Sequence, residues 1–152
     1  MKWKKMIPAV VFILYCGLML WLLFGRSGYV DGVPYMEQMK YNLWPFETIR
    51  LFWRQLVDPV SPATYRQAIV NLFGNVIMFI PLGLFLPLLF MKKPRLWKTL
   101  LWTAGIITLV EVVQLFTLLG SCDTDDLILN VLGAAIGYSL YRLCHKKKGN
   151  VQ

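Results

Sequence analysis

The sequence predicts an all-α integral membrane protein: four transmembrane helices, with an external amphipathic surface helix between the first and the second. Of the 152 residues, 57% are hydrophobic and only 16% are charged, and the mean hydropathy is +0.55. This composition is too apolar for an ordinary soluble domain. Four apolar runs, at roughly 6–24, 68–90, 96–119 and 127–144, each come close to or exceed the about 20 residues that cross a bilayer as a helix. We expect one membrane domain over residues 1–152.

The first apolar run follows Lys2, Lys4 and Lys5, so two interpretations stand. A cleavable secretory signal is one, because small residues flank Arg26 and form a loose cleavage site. An uncleaved anchor is favoured, because the run exceeds the about 7–15 residues of a signal core.

Residues 25–67 form the predicted external segment. Within it, Asn42–Phe46 reads NLWPF, and its proline disfavours helix in the residue before it, so a new element begins afterwards. From Glu47 onward, apolar residues recur at helical spacing, and Arg50 and Arg54 lie with Glu47 on the opposite face. This predicts a helix on the outer membrane surface. Its arginines are either simple anchors or a pair that binds headgroup phosphates.

Two later spans contain residues that alter helix geometry or packing. Pro81, Gly83 and Pro87 predict a kink in the inner half of the second span, which is either static or a hinge. Gly133 and Gly137 have the spacing that lets two membrane helices approach closely. They serve either packing within the chain or the interface of a homo-oligomer.

The basic residues decide the topology. Most of them lie before the first span, between the second and third, or after the fourth: Lys2, Lys4, Lys5, Lys92, Lys93, Arg95, Lys98, Arg142, Lys146, Lys147 and Lys148. The positive-inside rule therefore predicts a multi-pass protein of the bacterial plasma membrane with both termini in the cytoplasm. The net charge of +8 then reflects topology, and no nucleic-acid partner is expected.

Seven polar residues fall within or beside the apolar runs, all in the predicted outer half of the bilayer. They are Asn71, Asn75, Glu111, Gln114, Asp123, Asp126 and Asn130. Because such groups are costly in hydrocarbon, each is a candidate for a functional site. We expect a polar pocket that opens to the outer leaflet. The alternative is that the amides act as hydrogen-bonding glue between helices.

Glu111 is the strongest candidate for chemistry, because a carboxyl group at that depth needs a compensating donor, cation or metal and is suited to acid or base catalysis. Asp123 is positioned to cap the fourth helix. The single histidine, His145, lies with the cytoplasmic bases, which excludes a Ser-His-Asp triad with the external carboxylates. No zinc site, other metal site or cofactor is expected, and Cys16, Cys122 and Cys144 are too far apart in the topology for a disulfide.

Four segments, in this order and spacing, resemble the VanZ-like family: NLWPF at 42–46, GNVIMFIPLG at 74–83, EVVQ at 111–114 and DTDDLILNVLG at 123–133. The resemblance places six residues at the family's motif positions: Asn75, Glu111, Gln114, Asp123, Asp126 and Asn130. Many relatives carry an arginine just before the aspartates, where this chain has Ser121 and Cys122.

The resemblance implies a Gram-positive cell-envelope protein with a link to teicoplanin resistance. We expect it to bind membrane lipids, either an envelope lipid or a lipid-linked wall precursor, and to lower glycopeptide susceptibility, with Arg50 and Arg54 holding phosphate. One alternative is a membrane enzyme on such a lipid, with Glu111 as acid or base and Asp123 or Asp126 as its partner. Another is a structural assembly subunit.

Overall fold

The computed structural model describes residues 3–25 and 34–146. Lys2, Lys147, Lys148 and the candidate cleavage motif at Arg26 lie outside the described residues. The elements, in chain order, are α1 Trp3–Phe24, α2 Tyr35–Gln38, β1 Tyr41–Asn42, α3 Glu47–Val57, α4 Pro62–Phe90, α5 Leu96–Thr117, β2 Cys122–Asp123 and α6 Thr124–Lys146.

Four of these helices, α1, α4, α5 and α6, are long and apolar enough to cross a membrane. The predicted all-α class with four spanning helices is therefore confirmed. The helices alternate in direction, so α3 and both short strands lie at one end of the bundle, which we call the α3 end. We call the other the terminal end.

The second spanning helix begins earlier than hydropathy predicted, at Pro62. Ser61 caps it, because the Thr64 backbone N–H donates to Ser61 Oγ at 3.2 Å while the Ser61 N–H donates to Thr64 Oγ1 at 3.0 Å. This reciprocal pair and the proline in the first turn are strong signals for a helix start. Two polar turns, which hydropathy does not count as membrane-spanning, therefore precede the apolar part of α4.

Two wider, π-type turns interrupt the α-helical geometry of α4. One, Leu86–Phe90, contains Pro87 and fits the irregularity predicted for the inner half, whereas α-helical geometry continues through Pro81. The other, Val70–Gly74, lies near the α3 end and was not predicted. Such turns shift the helical register and often occur near functional sites.

The closest helix pair in the bundle is α4 with α6, and glycines make the approach possible. A Cβ added to Gly133 would lie 2.1 Å from the Val76 carbonyl oxygen, and one added to Gly137 would lie 2.0 Å from that of Ile80. On α4, a Cβ added to Gly83 would meet the backbone of α6 in the same way. Gly133 and Gly137 thus serve packing within the chain, and a homo-oligomer, which stays a prediction, would need another surface.

The amphipathic helix predicted after the NLWPF motif is confirmed as α3, but much of its apolar face contacts protein. Phe52 is buried with Ala68 and Leu72 of α4, and Ile49 and Leu56 pack against the same cluster. Trp53, also apolar and next to Phe52 in the chain, is 58% exposed. The helix covers the α3 end of α4 and presents its remaining exposed apolar residues outward.

The two strands are short, but their pairing determines which residues are adjacent at the α3 end. They pair in parallel, with Tyr41 opposite Cys122 and Asn42 opposite Asp123. The Cys122 backbone N–H also donates to the Lys40 carbonyl at 3.0 Å. This pairing holds the NLWPF segment beside the residues that begin α6.

Candidate functional site

The site is built around the aspartate turn, residues 122–126, which leads into α6. Asp123 caps this helix, since its Oδ1 accepts from the Asp125 backbone N–H at 2.8 Å, and the predicted cap is confirmed. Its Oδ2 accepts from Thr48 Oγ1 at 2.6 Å, and Asn42 Nδ2 lies 3.4 Å from its Oδ1. Asp123 therefore links the start of α6 to the segment before α3.

Asp125 is fully buried and caps a different helix. Its carboxylate accepts from the Phe46 backbone N–H at 2.5 Å and from the Ile49 N–H at 2.9 Å. The first N–H groups of a helix have no partner within it, so this carboxylate supplies what α3 lacks. It also holds Phe46 in the left-handed region at φ 68°, a conformation that costs about 1–3 kcal/mol without such support.

Glu111 joins the aspartate turn from α5. Its side chain is 7% exposed, and its Oε2 accepts from the Asp123 backbone N–H at 3.0 Å. Asp126, on α6, is close enough to interact with it electrostatically, and Asp126 Oδ1 accepts from Asn75 Nδ2 of α4. The structure thus brings together Asn75, Glu111 and Asp126 from three helices and Asp123 from β2.

The other three predicted pocket residues have different surroundings. Gln114 Nε2 donates to the Leu23 carbonyl at 2.8 Å and so ties α5 to α1. Asn71 Nδ2 donates to Gln67 O of its own helix at 3.2 Å, whereas Asn75 donates to Asp126. Asn130 is buried, and its Oδ1 has no partner among the residues that the structure describes.

Cys122 precedes these carboxylates in β2 and is partly buried. Burial, together with the nearby Glu111 and Asp123, raises the pKa of its thiol. Only the thiolate is a good nucleophile, so this side chain is less reactive than an ordinary exposed cysteine.

A charged groove runs along the outer side of α3. Its volume is about 490 Å³, and it is lined by Trp44, Pro45, Glu47, Arg50, Leu51 and Arg54. Arg50 and Arg54 are exposed and one helical turn apart. We call this feature the α3 groove.

The chemistry available at the aspartate turn is limited by how its carboxylates are used. Both oxygens of Asp123 and of Asp125 have hydrogen-bond donors, which leaves Glu111 and Asp126 as the carboxylates with the freer oxygens. Over residues 3–25 and 34–146, no three His, Cys, Asp or Glu side chains are arranged to hold a metal ion.

Sequence reasoning did not single out the residues that hold the α3 groove in place. Thr48 carries no signal of its own, and Asp125 is distinguished in the sequence only as one of the three aspartates of the DTDD segment. Their bonds join residues 75 to 79 positions apart, so no local periodicity reveals them. The NLWPF motif was the one available sign that this loop has a defined structure.

Comparison with known proteins identifies relatives. The sequence matches the family described as VanZ/LLP1 over residues 12–145. It is also 29% identical over 143 residues to Protein VanZ from Enterococcus faecium, an alignment that covers 93% of this chain and 78% of that protein. No solved structure matches the chain.

Proposed function

The chain belongs to the VanZ-like family, and from this premise we propose that it is a bacterial plasma-membrane protein that binds the phosphate of an envelope lipid or of a lipid-linked wall precursor in the α3 groove. Holding such a lipid at the outer face would change how a membrane-seeking glycopeptide such as teicoplanin reaches its target. The proposed consequence is lower susceptibility to that antibiotic.

The phosphate ligands in this proposal are Arg50 and Arg54. Guanidinium groups bind phosphate oxygens in a two-pronged geometry and are weakly hydrated, which suits them to a headgroup site. The residues that the structure describes provide no ion-pair partner for either arginine, so both are available to a ligand.

The observation that carries the proposal is the double hydrogen bond from the α3 backbone to Asp125. A simple membrane anchor needs only an apolar face. Here a fully buried carboxylate fixes the first turn of α3, and the arginines project from a helix whose position is set by bonds to α6. A preorganised charged groove loses less entropy when it binds a ligand than a mobile one does.

The orientation supports a ligand from the outer leaflet. Lys92, Lys93, Arg95 and Arg142 all lie at the terminal end. By the positive-inside rule this end faces the cytoplasm. On this orientation the α3 groove lies on the outer side of the membrane.

Lipid binding by the purified full chain tests the proposal. The probes are phosphatidylglycerol and a polyprenyl diphosphate, measured by native mass spectrometry. We expect Arg50→Ala/Arg54→Ala to weaken retention of at least one probe about tenfold, since two exposed charge contacts worth up to about 1 kcal/mol each are lost. The control, Lys40→Ala/Arg66→Ala, removes two positive charges from exposed residues at the same end.

Equal retention of both probes by the two double variants would contradict the proposal. The cellular test is teicoplanin susceptibility of a sensitive Gram-positive host, with membrane abundance matched by immunoblot. If the arginine variants lower the amount of protein in the membrane but leave teicoplanin tolerance unchanged at matched abundance, the structural assembly role is favoured.

A second candidate function, a membrane enzyme acting on a lipid-linked substrate, is favoured by the proximity of Glu111 and Asp126. Glu111 would serve as acid or base and Asp126 as its partner. Asp123, expected as an alternative partner, has both oxygens engaged by donors. Turnover of a polyprenyl diphosphate in isolated membranes that does not respond to Glu111→Gln would exclude this function.

A further inference from the structure

The α3 groove contains charges of both signs, which a site for a simple anion does not need. Glu47 lines it together with Arg50 and Arg54. The three are spaced i, i+3 and i+7, so they form one stripe along α3. At 1.5 Å rise per residue, Glu47 lies about 4.5 Å along the axis from Arg50.

The Glu47 side chain has no hydrogen-bond or ion-pair partner among the residues that the structure describes. An acidic residue in the first helical turn favours the free N–H groups there, and Glu47 shares that role with Asp125, which accepts from the Phe46 and Ile49 N–H groups. Glu47 does not form an ion pair with Arg50 or Arg54, the basic residues nearest to it in the groove. Its carboxylate is exposed at the groove instead of being neutralised.

Trp44 lies at the same end of the groove and is held in place by its backbone. Its N–H donates to Asn42 Oδ1 at 3.1 Å, and Pro45 restricts the backbone of Trp44, the residue before it. Its side chain is 77% exposed, although it lines the groove. An aromatic face next to a carboxylate is a combination that attracts ammonium groups.

We propose that Trp44 and Glu47 form an ammonium subsite beside the phosphate subsite of Arg50 and Arg54, so that the ligand is a lipid whose headgroup carries both a phosphate and a primary ammonium group. This inference rests on the proposed function. A carboxylate that can accept hydrogen bonds favours a primary over a quaternary ammonium. The repulsion that Glu47 exerts on a purely anionic headgroup adds to the selectivity.

Two sources offer this chemistry: an ethanolamine-type phospholipid, and a lipid-linked wall precursor whose peptide bears a lysine amine. The test compares each with its acetylated form, which keeps the phosphate and removes the ammonium charge. The probes are short-chain phosphatidylethanolamine and a short-chain polyprenyl diphosphate bearing a sugar and a lysine peptide. Dissociation constants are measured for the purified full chain in detergent.

We expect the wild-type chain to bind the amine form of one probe about tenfold more tightly than the acetylated form, the combined effect of an exposed ion pair and a cation–π contact. Whichever probe shows the preference identifies the source. In Glu47→Gln the preference should fall to about threefold, the part that the Trp44 contact supplies, while the acetylated form binds at least as well as before. Glu37→Gln, which removes an exposed carboxylate from α2, should keep the wild-type ratio.

The outcomes separate the two proposals. Equal binding of amine and acetylated forms by the wild-type chain overturns the ammonium subsite without any variant. An unchanged ratio of amine to acetylated binding in Glu47→Gln also overturns the ammonium subsite. If Arg50→Ala/Arg54→Ala still weakens the binding of every probe, the phosphate proposal stands. If the arginine variant changes nothing, both proposals fail.

Discussion

The two ends of α6 are attached to the protein by different physical means. At the α3 end, Asp123, Asp125 and Asp126 bind their surroundings through directed hydrogen bonds. Toward the terminal end, Gly133 and Gly137 bring the backbones of α6 and α4 into direct contact. Close packing in a membrane requires only small residues. Buried carboxylates are costly by comparison, so their presence at one end alone indicates a task that packing cannot perform.

That task is to fix a loop and a short helix. α3 has 11 residues and is too short to be stable by itself in water. Its first turn needs external acceptors, and the aspartate turn provides them at a defined position. The glycine contact holds α4 and α6 together, and the carboxylates fix the position of α3 and the loop before it.

The largest effect should come from filling the glycine contact. In Gly133→Ala the new methyl group would lie 2.1 Å from the Val76 carbonyl oxygen, and α4 and α6 would have to separate. We expect a loss of about 3 kcal/mol in stability and low abundance in membranes. The control is Gly105→Ala on α5, where an added Cβ meets nothing within 4 Å. Similar melting temperatures for the two variants would show that the α4–α6 contact is not as close as described.

A smaller and more local effect is expected at the aspartate turn. Asp125→Ala leaves the Phe46 and Ile49 N–H groups without an acceptor and should cost about 2–3 kcal/mol. Hydrogen exchange should accelerate in α3 but not in the glycine-packed part of α6. Asp58→Ala, at the exposed C-terminal end of α3, is the control. If exchange accelerates equally in both regions, the two attachments are not independent.

The link between α4 and the aspartate turn should contribute less again. Asn75 and Asp126 form one hydrogen bond between helices, and such bonds contribute about 0.6–1.7 kcal/mol in membrane proteins. A double-mutant cycle of Asn75→Ala and Asp126→Ala should give a coupling energy in this range. The same cycle with Asn71, which bonds to its own helix, should give none. A coupling as large for Asn71 would mean that both asparagines share one network, which their i, i+4 spacing allows.

The scaffold was largely predictable from the sequence, because hydropathy, helical spacing and small-residue spacing are local properties. Four spans, the amphipathic α3 and the cap at Asp123 all followed from residues close together in the chain. The π-type turn at Val70–Gly74 did not follow. Nor did the different partners of Asn71 and Asn75, since the first bonds to its own helix and the second to Asp126.

The arrangement of the candidate site was only partly predictable. The topology predicted that the polar residues lie at the same end of the bundle. Four of them, Asn75, Glu111, Asp123 and Asp126, do lie close together. Which carboxylate accepts from which donor depends on the pairing of β1 with β2, two strands of two residues each. Strands this short have no recognisable period in sequence. The roles of Thr48 and Asp125 were therefore visible only in the structure.

The smallest structural effect and the sharpest functional distinction come from Glu111→Gln. Glutamine keeps an oxygen that can accept from the Asp123 N–H, so the bond that joins α5 to the aspartate turn remains. The weaker neutral bond is offset because one ionisable group fewer is buried beside Asp126. We expect a stability change of about 0.5 kcal/mol or less.

If the α3 groove carries the function by binding lipid, a host with Glu111→Gln should keep the teicoplanin tolerance of the wild type, while Arg50→Ala/Arg54→Ala loses it. If the chain is an enzyme that uses Glu111, we expect the opposite result for this variant: Glu111→Gln folds normally, but the host that carries it loses all tolerance. Susceptibility at matched membrane abundance therefore distinguishes a carboxylate that holds the scaffold from one that performs chemistry. Loss of tolerance in both variants would mean that the groove and Glu111 act on the same ligand.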